Sequence, residues 1–261
     1  MSNLQYESGA INAGDCYGNA WAMVTGKFGL YLGVGIVTLI MVGCIPLVSL
    51  FLIGPVMGGF YYMVLRDMRG EPVDFGMMFK GFEKFLPLMV IGLIQAIPGI
   101  IFQIIRFSMN IAELLTTGGA GRNINFFQSD MPNFGLAEGF TVVMALVGLA
   151  FALISIVWHL ALQFAIPIAL ENDIGVIEAI KLSMSAAVAN LGGMIVMLIF
   201  AILVAILGTL ALCLGLFVAI PVIWVANAFA YRQVFPLIDQ HFNMTPPPPN
   251  AYGNSFGSGM Q

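Results

Sequence analysis

Charged side chains are missing from residues 28–65, 85–105 and 139–170, and from residues 174–231 apart from Glu178 and Lys181. A helix of about 20 apolar residues spans the hydrocarbon core of a bilayer, with every interior backbone amide bonded inside the helix itself. Residues 85–105 therefore predict one crossing, and residues 139–170 one long or tilted crossing. Residues 28–65 and 191–231 are each too long for a single helix. Gly43-Cys44-Ile45-Pro46 lies in the middle of the first stretch, and Gly208 and Gly215 lie near the middle of the second. Glycine and proline make continuation of a helix costly, so each stretch reads as a helical hairpin. The pattern predicts an all-α integral membrane protein with six transmembrane helices. A competing parse breaks the same stretches at Pro55 and Pro221, leaving half-helices of a kind that membrane proteins use.

Between the apolar runs, residues 74–86 space Phe75, Met78, Phe79, Phe82, Phe85 and Leu86 helically, with Lys80, Glu83 and Lys84 between them. Residues 173–188 set Ile177, Ile180, Met184 and Val188 on one side and expect Glu178 to pair with Lys181. Both predict short amphipathic helices lying at a cytoplasmic membrane surface. The first and last hairpins share a pattern: Pro55 precedes Arg66 by the same eleven residues that separate Pro221 from Arg232, which suggests a parallel repeat. The outer connection, residues 106–138, carries TTGGAG and SDMPNFG and favours irregular structure, as a lid or a linker. The chain thus divides into a polar N-terminal segment (1–20), a transmembrane domain (21–235) and a Pro/Gly-rich disordered tail (236–261).

Composition supports the same class. Apolar residues make up 60% of the 261 and charged residues 8%, where an ordinary soluble domain carries about 25% charged residues. So few charges cannot clothe a water-exposed surface, and membrane lipid is the expected partner. Basic residues set the orientation, because Lys and Arg accumulate in short cytoplasmic loops. Six crossings place Lys27, Arg66, Arg69, Lys80, Lys84, Lys181 and Arg232 on one face, and Arg106 and Arg122 on the other. This predicts a multi-pass protein of a bacterial inner (plasma) membrane with both termini in the cytoplasm. The nine dispersed basic residues form no stripe for a nucleic-acid backbone. Cys16, Cys44 and Cys213 have no CxxC spacing and are expected to be free thiols. The first 26 residues contain no Lys or Arg, so the basic start of a cleavable signal is absent and the first apolar segment is expected to be retained.

No expected crossing contains a carboxylate or an amine, which argues against coupling through buried Asp or Glu. The neutral polar candidates are Gln95 and Gln103 on the third helix, Ser155, His159 and Gln163 on the fourth, and Asn227 on the sixth. Ser155, His159 and Gln163 follow one another in steps of four and form one stripe, expected to face the bundle. A solute or proton path with His159 titrating is the sharper reading; hydrogen bonding between helices is the plainer and preferred one. Signatures of a serine elbow, a zinc helix and paired aspartates are absent, so no catalytic residue, metal or cofactor is expected. A Ser155–His159 dyad would still need an oxyanion hole and an orienting group. Small residues at four-residue spacing, Gly29 with Gly33, Gly54 with Gly58, and Ala211 with Gly215, predict close helix packing, with a homo-oligomer face as the alternative.

Three segments carry a resemblance to a known group: GNAWAMVTGKFGLYLG, GPVMGGFYYMVLRDMRGEPVDFGMMFKGFEKF, and FAIPIALENDIGVIEAIKLSMSAAVANLGG before the last hairpin. Across most of residues 12–235 the chain resembles uncharacterised bacterial polytopic membrane proteins related to the membrane domain found beside some glycerophosphoryl diester phosphodiesterases. The resemblance implies a six-helix inner-membrane bundle and supplies no catalytic residue. The soluble phosphodiesterase domain of some relatives is not found in this sequence, so no hydrolase activity is expected. A non-enzymatic scaffold, assembly or lipid-handling component with a cytoplasmic protein partner is the leading expectation; a channel or facilitator for a small neutral solute is the alternative.

Overall fold

The computed structural model describes residues 6–43, 46–117, 138–172, 174–211 and 215–236. Its elements are α1 (Ala13–Gly26), α2 (Phe28–Gly43), α3 (Pro46–Met68), a 3-10 helix (Phe75–Lys84), α4 (Phe85–Thr117), α5 (Glu138–Leu162), α6 (Ala165–Glu171), α7 (Val176–Ala189), α8 (Leu191–Leu210) and α9 (Leu216–Val234). Among the described residues no strand occurs. Five helical segments are long and apolar enough to cross a membrane, and α1 with α2 would make a further, broken one, bent by 102°. The expected outer loop beyond Thr117, the thiols Cys44 and Cys213, Arg122 and the Pro-rich tail lie outside the described residues.

Local chemistry explains the boundaries. Asn12 caps α1, its side-chain oxygen accepting from the Asp15 amide at 3.3 Å. Beyond the end of α3, Gly70 takes the left-handed conformation (φ 74°), and the Glu71 amide returns to the Arg66 carbonyl at 3.2 Å. Pro46 opens α3, a position where no amide donor is needed.

Neither Pro55 nor Pro221 divides its helix: both lie inside continuous helices, α3 and α9. The competing parse therefore does not hold. The Pro221 ring instead fits against Gly35 of α2, where an added methyl would lie 2.6 Å from the ring. The helical break falls where hydropathy gave no warning, at Gln163 and Phe164 between α5 and α6. The run read as one crossing over residues 139–170 therefore holds two helices, which together still make one candidate span over Leu146–Glu171. α4 also continues to Thr117, well past the boundary expected at Ile105. The amphipathic segment expected over residues 74–86 is helical, but as a 3-10 helix. Its Gly81 lies against the Pro55 carbonyl and the Gly59 amide of α3, and the slimmer, tighter coil suits this close backbone crossing.

A short helix followed by longer ones occurs three times: α1 before α2 and α3, the 3-10 helix before α4 and the α5–α6 pair, and α7 before α8 and α9. Each short helix packs on the closing helices of another group. α1 lies on α9, the 3-10 helix on α3, and α7 on α5 and α6. The boundary drawn at residue 20 falls inside α1, whose Ala13, Cys16, Tyr17 and Ala20 join the same buried cluster as Phe60, Phe164 and Tyr231.

Around this core the exterior is apolar. Leu149, Leu153 and Val157 of α5 point outward, as do Ile199, Leu203, Ile206 and Leu210 of α8. A patch of that size costs heavily in water and nothing in hydrocarbon. The fold is that of an all-helical protein built to suit multi-pass insertion in a membrane.

Candidate functional site

Two polar assemblies stand out in this apolar body: a charged network where α3, α6 and α9 end, and a belt of neutral side chains at the α5–α6 break.

The charged network begins with the last turns of the three helices, which bring Arg66 and Asp67, Glu171, and Tyr231 and Arg232 to one end. Glu171 is the junction. Its Oε1 accepts from Arg232 Nη2 at 2.5 Å and Arg69 Nη1 at 3.4 Å, and its Oε2 accepts from the Tyr231 hydroxyl at 2.9 Å. Glu71 accepts from Arg69 Nε at 2.8 Å and also from Arg66. Asp67, with its side chain almost wholly buried, accepts from Lys27 Nζ at 2.6 Å and the Tyr31 hydroxyl at 2.7 Å. Lys84 donates to the Leu170 carbonyl at 3.0 Å and the Ala169 carbonyl at 3.3 Å, satisfying acceptors that the end of α6 leaves open. The Arg66 guanidinium stands over the Tyr62 ring and that of Arg232 over the Tyr231 ring, 5.6 and 5.5 Å from the centroids.

The hydrogen bond from Arg66, helped by Arg69, holds the Glu71 carboxyl below its ordinary range, against a smaller opposing effect of desolvation. Each of these three acids holds at least one cation, and Asp67 and Glu171 also accept from a tyrosine hydroxyl. The network joins the ends of α3, α6 and α9 through shared carboxylates.

At the α5–α6 break, the carbonyls of Ala161 and Leu162 lose their helical donors. Ser183 Oγ of α7 donates to Ala161 at 2.8 Å and accepts from the Phe164 amide at 3.2 Å. Gln95 Nε2 of α4 donates to Leu162 at 2.7 Å. Gln163, within the break, donates through Nε2 to Asn227 Oδ1 of α9 at 3.1 Å. Three of the residues singled out in the sequence, Gln95, Gln163 and Asn227, thus serve this one junction.

The rest of the expected stripe goes elsewhere. Ser155 Oγ donates to the Phe151 carbonyl of its own helix at 2.8 Å. His159 is exposed on the outer side of α5 and makes no hydrogen bond among the described residues, so the stripe does not face the bundle along its length. Gln103 is likewise exposed and makes no hydrogen bond among the described residues.

Sequence reasoning missed several residues. Ser183 sits among Ala179, Ala186 and Ala187 on the buried face of α7, and that run of small residues was its one visible signal. Trp158 Nε1 reaches the Ile94 carbonyl of α4 at 3.0 Å. Asn190, at the corner of α7 and α8, receives the Ala10 amide at 3.0 Å and donates to the Glu7 carbonyl at 2.9 Å. Gln233 of α9 receives the Asn12 amide at 2.8 Å and the Cys16 thiol at 3.3 Å. The Cys16 thiol is buried, and burial, with Asp15 adding to it, pushes it up to about 12.

Among the described residues no group of three or more His, Cys, Asp or Glu gathers that could hold a metal ion. Compared with known proteins, the chain matches no family model, no curated protein and no solved structure.

Proposed function

We propose that this chain is a non-enzymatic component of a bacterial inner membrane, a scaffold or assembly factor that handles lipid or a protein partner. It crosses the bilayer six times with both termini in the cytoplasm. The observation that carries this reading is how the polar groups are used: the acids of the charged end and the amides at the α5–α6 break bind other parts of the same bundle. Such an interior holds a shape instead of a substrate.

For the six crossings we take α2, α3, α4, the α5–α6 pair, α8 and α9. α2 has only 16 residues and is the shortest of them. Orientation follows from charge: Lys27, Arg66, Arg69, Lys84 and Arg232 gather at one end, and basic residues mark the cytoplasmic side. The order of short and long helices extends the parallel repeat from the first and last hairpins to a third, central unit. A relation to the polytopic proteins akin to the phosphodiesterase membrane domain, and a homo-oligomer packed through exposed faces of the long helices, belong to the same proposal.

Reporter fusions at each end, and co-purification from mild detergent with and without residues 243–261, test the proposal. Both reporters are expected to be active only in the cytoplasm, and a partner is expected to be lost with the tail. Ends on opposite sides of the membrane would overturn the six-crossing topology. The alternative, a facilitator for a neutral solute along Ser155, His159 and Gln163, predicts that His159→Leu abolishes flux in proteoliposomes. Unaltered flux would count against that path.

A further inference from the structure

The three short helices share a feature that the packing of the bundle does not use. Each buries one side on a longer helix and turns large apolar side chains outward at or near the charged end. On α1 the outward residue is Trp21, 57% exposed, while Cys16, Tyr17, Ala20 and Val24 face α9 and its neighbours. On the 3-10 helix, Phe75 and Phe79 face out, and their rings continue through Phe82 to Phe85 in steps of 6.2 to 6.3 Å. On α7, Ile177 is 70% and Val188 76% exposed, with Met184 between them. The buried side of α7 is small: Ala179, Ser183, Ala186 and Ala187.

Two observations identify what covers these faces. First, they are continuous with the apolar exterior of the long helices: Val188 leads into the exposed Leu191 and Ile195 of α8, and Phe85 into the exposed Leu86 of α4. Second, α1 turns away from α2 by 102°, which sets α1 close to the membrane plane if α2 runs across it, while the 3-10 helix opens the apolar stretch Phe75–Ile105 and so enters the leaflet at its surface end. A helix lying in that plane, with an aromatic or aliphatic face down and charges beside it, is the geometry of shallow insertion. Lys27, Lys80 and Lys181 stand beside the three faces, and Asp67, Glu83 and Glu178 balance them, Lys27 and Lys80 in ion pairs with the first two. The mixed charge suits zwitterionic headgroups as well as anionic ones.

We propose that α1, the 3-10 helix and α7 form a collar that lies within the leaflet at the charged end of the bundle, with Trp21, Phe79 and Val188 buried among its lipids. The collar rests on the membrane reading above. It widens the protein in one leaflet only, so lipid there must pack around three shallow wedges, and a loosely packed or outwardly curved leaflet accommodates them best. The chemical partner is the bilayer surface itself.

Spin labels at single cysteines test this. Trp21→Cys, Phe79→Cys and Val188→Cys are each made in full-length protein lacking Cys44 and Cys213, with the buried Cys16 retained, and reconstituted in phosphatidylcholine–phosphatidylglycerol vesicles. Leu203→Cys, on the outward face of α8, is the control. The three collar labels are expected to meet dissolved oxygen more often than a water-soluble nickel complex, at depths of roughly 5–10 Å, while the control lies deeper. A control in lipid with collar labels open to the nickel complex would overturn the collar and leave the membrane reading standing. A control open to the nickel complex would overturn both. Collar labels as deep as the control would also overturn it, by making the short helices crossings. Three independent sites keep the test decisive if one variant fails to fold.

Discussion

Trp158 Nε1 donates to the carbonyl oxygen of Ile94 at 3.0 Å, and Ile94 is the residue whose helical donor is missing because position 98 is proline. Proline has no amide hydrogen, so in the interior of α4 it orphans the carbonyl four residues earlier. In hydrocarbon no water can make good that loss. The indole of α5 supplies the donor, and a defect in one helix becomes a bond between two.

Replacing Trp158 with Phe should therefore cost about 1–3 kcal/mol by stranding that carbonyl. In a Pro98→Ala background residue 98 can bond Ile94 itself, and the same substitution should cost less. Thermal unfolding of the four proteins in one detergent checks this; equal costs in the two backgrounds would mean that Trp158 matters only for its volume.

Gly59 and Gly81 should tolerate no side chain. A methyl group on Gly59 would lie 1.6 Å from the Met78 carbonyl oxygen, and one on Gly81 would lie 2.0 Å from that of Pro55, both backbone atoms. Gly59→Ala should destabilise by about 3 kcal/mol or more, or prevent folding. Gly18→Ala meets no atom within 4 Å and should be neutral or stabilise by about 0.5–1 kcal/mol. Yield of monodisperse protein and melting temperature separate the two cases.

Glu171→Gln should weaken the joint between α6 and α9. The carboxylate, 17% exposed, serves Arg232, Arg69 and Tyr231 together, and an amide leaves one guanidinium poorly matched. A loss of about 1.5–3 kcal/mol is expected. Glu83→Gln removes only the exposed pair with Lys80 and should cost less than about 1 kcal/mol. Urea titration of the helical signal in mixed micelles compares them.

Acid should loosen the same end of the molecule. Because Arg66 holds Glu71 below the ordinary carboxylate range, its stabilisation is fully present above the unfolded-state value and disappears as pH falls through the folded-state value. Melting temperature should drop on acidification below the usual carboxylate range, and Glu71→Gln should flatten that part of the profile. An unchanged acid limb in the variant would assign the effect to other carboxylates.

Much of this architecture is legible from hydropathy. The hairpin turns near Gly43 and Gly215 lie where a long apolar run meets residues unfavourable to helix, and the basic residues that gather at one end are spaced by the lengths of the runs between them. A bilayer imposes one-dimensional rules of length and charge, and these survive in sequence. The break at Gln163 does not. Leu162, Phe164, Ala165 and Ile166 are as apolar as a continuous helix would be, and the donors that make the break affordable, Gln95 and Ser183, come from other elements.

What the sequence alone determined, then, is the helical class, the apolar exterior and the candidate polar residues, since each depends on residue type along one segment. Only the tertiary structure decided that Pro55 and Pro221 remain inside their helices, that Gln163 meets Asn227 while His159 turns outward, and that the segment over Phe75–Lys84 coils as a 3-10 helix. The reason is physical: a kink, a break or a tightened coil is tolerated only where a neighbouring element brings a donor, a carbonyl or a glycine surface to meet it, and that neighbour is chosen by packing in three dimensions.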